Sequence, residues 1–406
     1  MSATVDLLVL GGGAVGASVA WAAARGSNDR LPISTALLDA GEPAHPAGSS
    51  HGDGRIWRIS YSEDVYVDLA RRAEPLWQEL ATTTGQSLWI PTGGLDLGPA
   101  SSPIVAELLA TFDRLDIEHR VHERASLRRH LPQIETPPGS VGVYQPSAAV
   151  VRADRAVRSL WQAAEAAGAR RFSGRAMGLE SDDSGIQLRL ADGRSVAARR
   201  LVVAAGSWSG AFASRALGLD LPLRVSEEVV AYFPPSARAR TGHHAGTLPV
   251  VIDYHEALPF YALPQIDVAG VKVGWHRSGP ILPPEQLHRE AEDGLPAAGG
   301  EPDAAVLERV RRYVGDRFPY LEMTPIVTTT CRYTMTPDLH FLIDRWADDP
   351  RVTLAAGFSG HGFKFAPALG EAIVDLALGA EPRIDLTSFR IARFADLDRL
   401  QPRLTA

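Results

Sequence analysis

The first forty residues constrain the fold more than any other part of the chain. Residues 4–10 read as a buried strand, Gly11-x-Gly13-x-x-Gly16 follows, and Ala14–Arg25 is rich in small residues with helical character. A second apolar run, residues 33–39, ends in Asp39, 23 positions after Gly16. Strand, glycine turn, helix and strand make a βαβ unit, which favours a parallel sheet. Gly11 permits the tight turn, Gly13 lets a pyrophosphate approach the backbone beside Val15, and Gly16 lets the helix close on the strand. The helix N-terminus supplies unpaired N–H groups and a positive dipole end. Asp39 is placed to accept hydrogen bonds from a ribose. The pattern predicts a dinucleotide cofactor and does not separate FAD from NAD.

Residues 7–24 carry no charge over 18 positions, long enough for a membrane helix. The four glycines inside that run argue for the turn instead, so a soluble protein with no membrane partner is expected. Met1–Asp6 lacks a positive n-region, so no signal peptide is expected. The 406 residues suggest two or three domains, and 45% apolar with 22% charged residues is a globular composition. A net charge of −7 gives no basic surface for nucleic acid. The single cysteine, Cys331, excludes an intrachain disulfide, weighs against a cysteine-rich metal site and fits a reducing, cytoplasmic compartment. No metal site is expected.

Further along, residues 65–81 and the segment around Val157, Leu160, Trp161 and Ala164 have helical periodicity. Residues 86–150 read as short antiparallel strands and loops. Ile186, Leu188 and Leu190 alternate before Asp192-Gly193, and an apolar strand returns at 201–205, a hairpin signal. Residues 224–276 are strand-rich, 279–303 read as an exposed loop, and a helix follows with Val306, Val310, Tyr313 and Val314 on its buried face. A strand at 352–356 leads into a glycine-rich turn and a last helix ending near Leu378. The expected fold is α/β: a Rossmann-like dinucleotide-binding domain from 1–85, 150–220 and 322–406, interleaved with an antiparallel-sheet substrate domain from 86–149 and 221–321.

Four segments carry more specific information. They are Ser49-Ser-His-Gly-Asp-Gly-Arg-Ile-Trp-Arg58, Phe260-Tyr-Ala-Leu-Pro264 with Val271-Lys-Val-Gly-Trp-His276, Cys331-Arg-Tyr-Thr334, and Gly357-Phe-Ser-Gly-His-Gly-Phe-Lys364. Taken singly they read as a solvated polar loop, an alternating strand, a small buried thiol and a glycine-rich helix start. Together, in this order and spacing, the chain resembles the monomeric sarcosine oxidase family of flavoprotein amine oxidases, in the D-amino-acid-oxidase-like group.

The resemblance implies FAD, linked through its 8-methyl carbon to Cys331, a bond whose chemistry needs a thiolate favoured by nearby cations. Ser50, His51, Arg55, Phe358, Gly360 and Gly362 fall in segments that meet the flavin, with the charge of Arg55 and His51 stabilising electron density on its ring. The last helix, opening at 357–362, would point its positive end at the flavin. Lys272 matches the lysine that activates dioxygen, and Arg58 and Lys364 match the pair that grips the substrate carboxylate. Left without an anion, those two cations should repel. Tyr261, His276 and Tyr333 match residues lining the same pocket. The implied reaction oxidises an N-substituted amino acid to an imine and reduces O2 to hydrogen peroxide, in a monomer. Gly54 replaces the family's threonine, and Trp57 and Trp275 are candidates to reshape the pocket or simply to pack. Bulkier substrates are therefore open, such as an N-methylated aromatic or a cyclic imino acid. A flavin dehydrogenase with another electron acceptor, or a non-catalytic flavin-binding protein, are the alternatives.

Overall fold

The computed structural model describes residues 4–239, 242–297 and 299–399; Met1–Ala3 of the opening segment lie outside the described residues. The first strand, Val5–Leu10, pairs in parallel with Thr35–Asp39 on one side and Ser195–Val203 on the other. Val352–Ala356 extends the parallel set from Ser195–Val203, and Arg170–Ser173 extends it beyond Thr35–Asp39. The apolar runs are continuous because both faces of this sheet are covered. Leu7, Val9, Leu37 and Val202 join the helical side, whereas Leu8, Leu10, Leu38, Leu201 and Val203 join the opposite core with Phe212. The helical side is built from Ala14–Arg25, Ala153–Ala166 and Ala366–Leu378. Small residues let these helices approach closely: a Cβ on Gly370 would lie 2.6 Å from the Ser18 backbone.

The second sheet also has eight strands. Arg224–Phe233 lies next to the edge, pairing antiparallel with Val271–Trp275 and with the edge strand Val327–Met335. Phe260–Leu263 continues it, then Val250–Asp253, Gly94–Pro99 and Ser140–Gln145. The expected all-antiparallel pattern is broken at one place, where Val250–Asp253 runs parallel to Gly94–Pro99. The strand Val327–Met335 falls in the segment 322–406 assigned by sequence to the dinucleotide-binding part, yet its hydrogen bonds put it in the second sheet. Cys331 therefore belongs to the second sheet, packed with Val230 and Tyr232. A small third sheet, Gly54–Trp57 with Ala149–Arg152 and Trp89–Pro91, lies between them.

Three helices stand where sequence reading expects strands or loop. Pro103–Arg114 buries Val105, Leu108 and Phe112, and Arg124–His130 buries Leu127. Pro284–Asp293 lies inside the supposed exposed loop and buries Leu287 and Ala291. The helix expected next is Ala304–Arg317, with Val306, Val310, Tyr313 and Val314 buried as predicted. Asp303 caps it by accepting from the Ala305 and Val306 N–H groups, both at 2.9 Å. No helix among the described residues is long and apolar enough to cross a membrane.

Candidate active site

The glycine turn has the geometry its spacing demands. Gly11 has φ +100°, and a Cβ there would sit 2.3 Å from the Ala204 carbonyl oxygen. A Cβ on Gly16 would come within 1.8 Å of the Gly11 oxygen, so this residue closes the helix onto the strand and does not line the cavity. Ser50 Oγ accepts from Ala14 N at 3.0 Å, pinning the segment after the second strand to the helix start. Asp39 accepts from Gly12 N and, at 2.7 Å, from Gly41 N. Each of its oxygens retains a lone pair for a ribose hydroxyl. The open space over Gly13, where a Cβ would crowd Ser50 Oγ at 3.0 Å, completes a cradle that fits the pyrophosphate of a dinucleotide.

One cavity runs from this cradle across the face of the second sheet. Its wall includes Gly11, Gly13, Val15, Asp39, Ser50, Arg55, Arg58, Tyr261, Lys272, His276, Cys331, Tyr333, Phe358, Gly360, Gly362 and Lys364. Residues predicted from distant segments are thus brought together. His51 is the exception: it is buried behind the wall. Burial, then Arg55, then Lys272 lower its imidazole to about 4, so it is neutral near pH 7 and cannot supply the expected positive charge. Arg55 alone of that pair is a cation at the cavity, anchored by its bonds to the carbonyls of Ser49 at 2.8 Å and Gly54 at 3.1 Å.

Lys272 is only 5% exposed, despite sitting on an alternating strand. Its Nζ donates to the Gly54 carbonyl at 2.8 Å. Burial, followed by the charge of Arg55, lowers its ammonium to about 7. Gly54 leaves no room for a side chain, since a Cβ would meet Val150 at 2.7 Å. Cys331 feels both Arg55 and Lys272, as expected, but burial outweighs them and raises the thiol above its ordinary value. The expected thiolate is therefore not favoured by the protein alone.

Arg58 is 6% exposed and pairs with Asp96 at 3.2 Å, a partner the sequence did not disclose. It also donates to the Ser60 carbonyl and lies over the Tyr61 ring at 4.9 Å. Tyr254 donates to the same Asp96 oxygen at 3.1 Å. Burial opposes the Arg58 charge, but Tyr254 and Asp96 hold the guanidinium above its ordinary pKa. Lys364 is 7% exposed and donates to Tyr61 Oη at 2.7 Å and to the His361 carbonyl at 3.2 Å. Burial and then Arg58 push its ammonium well below the usual lysine range. The expected unbalanced pair is corrected accordingly: Asp96 neutralises Arg58, and Lys364 is the member with no carboxylate partner among the described residues.

His276 Nδ1 lies 3.2 Å from Tyr333 Oη, and its ring meets those of Tyr333 and Tyr261 edge-on. Burial raises both phenols, so these walls are polar and uncharged. Gly274 and Gly360 make space for them, since a Cβ would come within 2.4 Å of Tyr261 and 2.3 Å of Tyr333 respectively. Trp57 and Trp275 do not reach the cavity: Trp57 packs on Trp89 with ring centroids 4.8 Å apart, and Trp275 stacks on Phe260 at 5.5 Å. The last helix begins later than expected, because Phe363–Phe365 forms a 3-10 turn before Ala366–Leu378. Ala291 and Leu295, from the supposed loop, add to the wall near the cradle. Glu290 fastens the helix that carries Ala291, accepting from Trp208 Nε1 and one Arg332 nitrogen, both at 2.9 Å.

The profile of the FAD dependent oxidoreductase family (DAO) matches residues 6–376, which spans both sheets and every segment of the cavity wall. The chain belongs to this family. It is 30% identical to the N-methyl-L-tryptophan oxidase of Salmonella agona over 402 residues, 96% of this chain and 99% of that one. It is 30% identical to the monomeric sarcosine oxidase of a Bacillus species over 404 residues, 99% of each chain. Among solved structures, NikD, an unusual amino acid oxidase essential for nikkomycin biosynthesis, superposes with a TM-score of 0.78 at 21% identity, covering 96% of this chain and 98% of that one. The L-proline dehydrogenase from P. horikoshii gives 0.80 at 20% identity, with coverage of 99% and 100%. These two share the fold. Family membership makes the protein an FAD-dependent oxidoreductase acting on CH–NH donors.

Proposed function

We propose that this oxidoreductase oxidises the carbon–nitrogen bond of an N-substituted amino acid to an imine, with O2 as electron acceptor and hydrogen peroxide as product. The parallel sheet carries the cofactor and the second sheet forms the substrate pocket. The observation that carries the reading is Lys364: a buried ammonium that donates to a phenol and a carbonyl, set beside an arginine already neutralised by Asp96. A ligand carboxylate relieves that imbalance through charge-assisted hydrogen bonds. The relatives named for N-methyl-L-tryptophan and sarcosine support the N-substituted class.

Bound FAD supplies the two-electron acceptor that side chains lack. Lys364 and Arg58 orient the acid, and Tyr61 holds Lys364 in place. Tyr261 and Tyr333, whose phenols burial keeps protonated, bound the pocket near the amine with His276 beside them, without competing for the carboxylate. Lys272, anchored on Gly54, presents a cation where dioxygen is reduced, and Arg55 sits beside it. We further assign Cys331 as the point of covalent flavin attachment, with Arg55 and Lys272 opposing the burial that keeps its thiol protonated. A monomeric, cytoplasmic protein fits this reading.

The test compares the best amino-acid substrate with its methyl ester and its decarboxylated amine, found by anaerobic screening for flavin bleaching. The acid should be strongly preferred. Equal oxidation of the plain amine would overturn the carboxylate grip. Faster turnover with a dye than in air would replace the oxidase by a dehydrogenase.

A further inference from the structure

We propose that His361 is a positioning residue of the substrate grip: its imidazole, acting through Tyr61, aligns Lys364 Nζ for the substrate carboxylate. This rests on the reading above, in which Lys364 and Arg58 hold that carboxylate.

His361 lies in the cavity wall, in the turn ahead of the last helix, and is buried. Aromatic rings box its imidazole, with centroids at 4.7 Å for Phe341, 5.0 Å for Tyr66 and 5.8 Å for Tyr61. Each ring nitrogen has one partner among the described residues. Nε2 lies 3.3 Å from the Leu339 carbonyl oxygen, and Nδ1 lies 3.4 Å from Tyr61 Oη. A carbonyl can only accept, so Nε2 carries the proton. Burial, followed by the charge of Lys364, keeps the imidazole well below the usual histidine range, so the ring is neutral and Nδ1 is bare. Nδ1 therefore accepts from the Tyr61 hydroxyl, which has no other acceptor among the described residues. With its proton so directed, Tyr61 Oη turns its lone pairs to Lys364 Nζ, which donates to it at 2.7 Å. The chain runs one way, from Lys364 to Tyr61 to His361 to the Leu339 carbonyl. Reversal at His361 would aim the phenol proton at the hydrogens of Nζ.

The far end of the chain is held by a strained turn. Leu339 has φ +66°, a left-handed conformation that bulky side chains seldom adopt. Thr336 Oγ1 and Arg393 both donate to the next carbonyl, that of His340, at 2.5 and 3.1 Å. Backbone strain of this kind persists where the surroundings over-determine it. Here it presents the acceptor that fixes the tautomer of His361. The near end is anchored independently. The Lys364 carbonyl accepts from Trp77 Nε1 at 2.9 Å, so its backbone is fixed. The direction of Nζ is left to Tyr61 Oη and the His361 carbonyl at 3.2 Å. The Tyr61 ring also lies under Arg58 at 4.9 Å, so the phenol that His361 orients meets both cations of the grip.

Calorimetric titration of the holoenzyme with pentanoate, a carboxylate that lacks the amine, tests this. His361→Phe keeps an aromatic ring in the box and removes both nitrogens. It should weaken pentanoate about tenfold, the worth of one aligned hydrogen bond. His361→Asn gives up the ring but keeps an acceptor close to the place of Nδ1, and it should retain most of the affinity. In a Lys364→Met background His361→Phe should cost nothing further, because the group through which it acts is gone. Undiminished affinity in His361→Phe, an asparagine variant as weak as the phenylalanine one, or a loss that persists beside Lys364→Met would each overturn the proposal. Should His361→Phe fail to fold, His361→Leu set against His361→Asn, close to it in size, makes the same comparison. If Lys364→Met weakens pentanoate while His361→Phe does not, the assignment of His361 alone fails. If Lys364→Met leaves pentanoate unchanged, the carboxylate reading fails with it.

Discussion

Changing Lys272 to methionine keeps most of the side-chain stem and removes one buried positive charge. The loss can be sized from its surroundings. Nζ is almost fully shielded and has one hydrogen committed to the Gly54 carbonyl, leaving two directed elsewhere. Attraction between an ammonium and a newly reduced oxygen species ~4 Å away, at an effective dielectric of ~20, is about 4 kcal/mol. Losing that from a transition state slows the step by roughly a thousandfold. Stopped-flow mixing separates the two halves of turnover: anaerobic bleaching by substrate, then recovery of colour on mixing with oxygenated buffer. Only the second should slow by that factor. The pH profile gives a second check. Lys272 is cationic below about 7 and neutral above it. In the wild type the oxygen step should therefore fall as pH rises through that range, and the methionine variant should lack this limb. Equal slowing of both halves, or an unchanged pH profile, would refute an electrostatic role for this lysine.

Denaturing the holoprotein in acid and passing it through a filter should leave the yellow colour with the protein, and Cys331→Ala should release it; colour in the wild-type filtrate would exclude attachment at Cys331. Asp96→Asn leaves Arg58 buried with no carboxylate, so thermal or urea unfolding should show a loss of about 3–5 kcal/mol. Because the substrate acid would then be the only counter-ion, saturating carboxylate should recover more stability in this variant than in the wild type. Absence of that extra rescue would show that Asp96 does not balance the grip.

Local patterns were legible where one segment's own chemistry is sufficient. The glycine spacing foretold the turn, because Gly11 and Gly16 are each fixed by atoms within the unit itself or on the adjoining strand. Ala304–Arg317 was legible because its buried positions recur at helical spacing. Pro284–Asp293 was missed because it buries only Leu287 and Ala291 amid Pro, Gly and Glu residues. Pro103–Arg114 carried a readable signal that was passed over, Ser102-Pro103 ahead of Val105, Leu108 and Phe112. The resemblance located the cavity's Arg55, Arg58, Lys272, Cys331 and Lys364, but it said nothing of what faces them.

By itself, then, the sequence determined the βαβ start, the dinucleotide site and which segments carry chemistry. Only the tertiary structure decided the charge states. Asp96 meets Arg58 from a strand 38 positions away, His51 is neutral because it is enclosed, and burial raises the Cys331 thiol against two cations. The physical reason is common to all of these. Propensity and glycine geometry act over a few neighbouring residues, whereas desolvation and Coulomb energy depend on everything the fold packs within several ångströms of a charge.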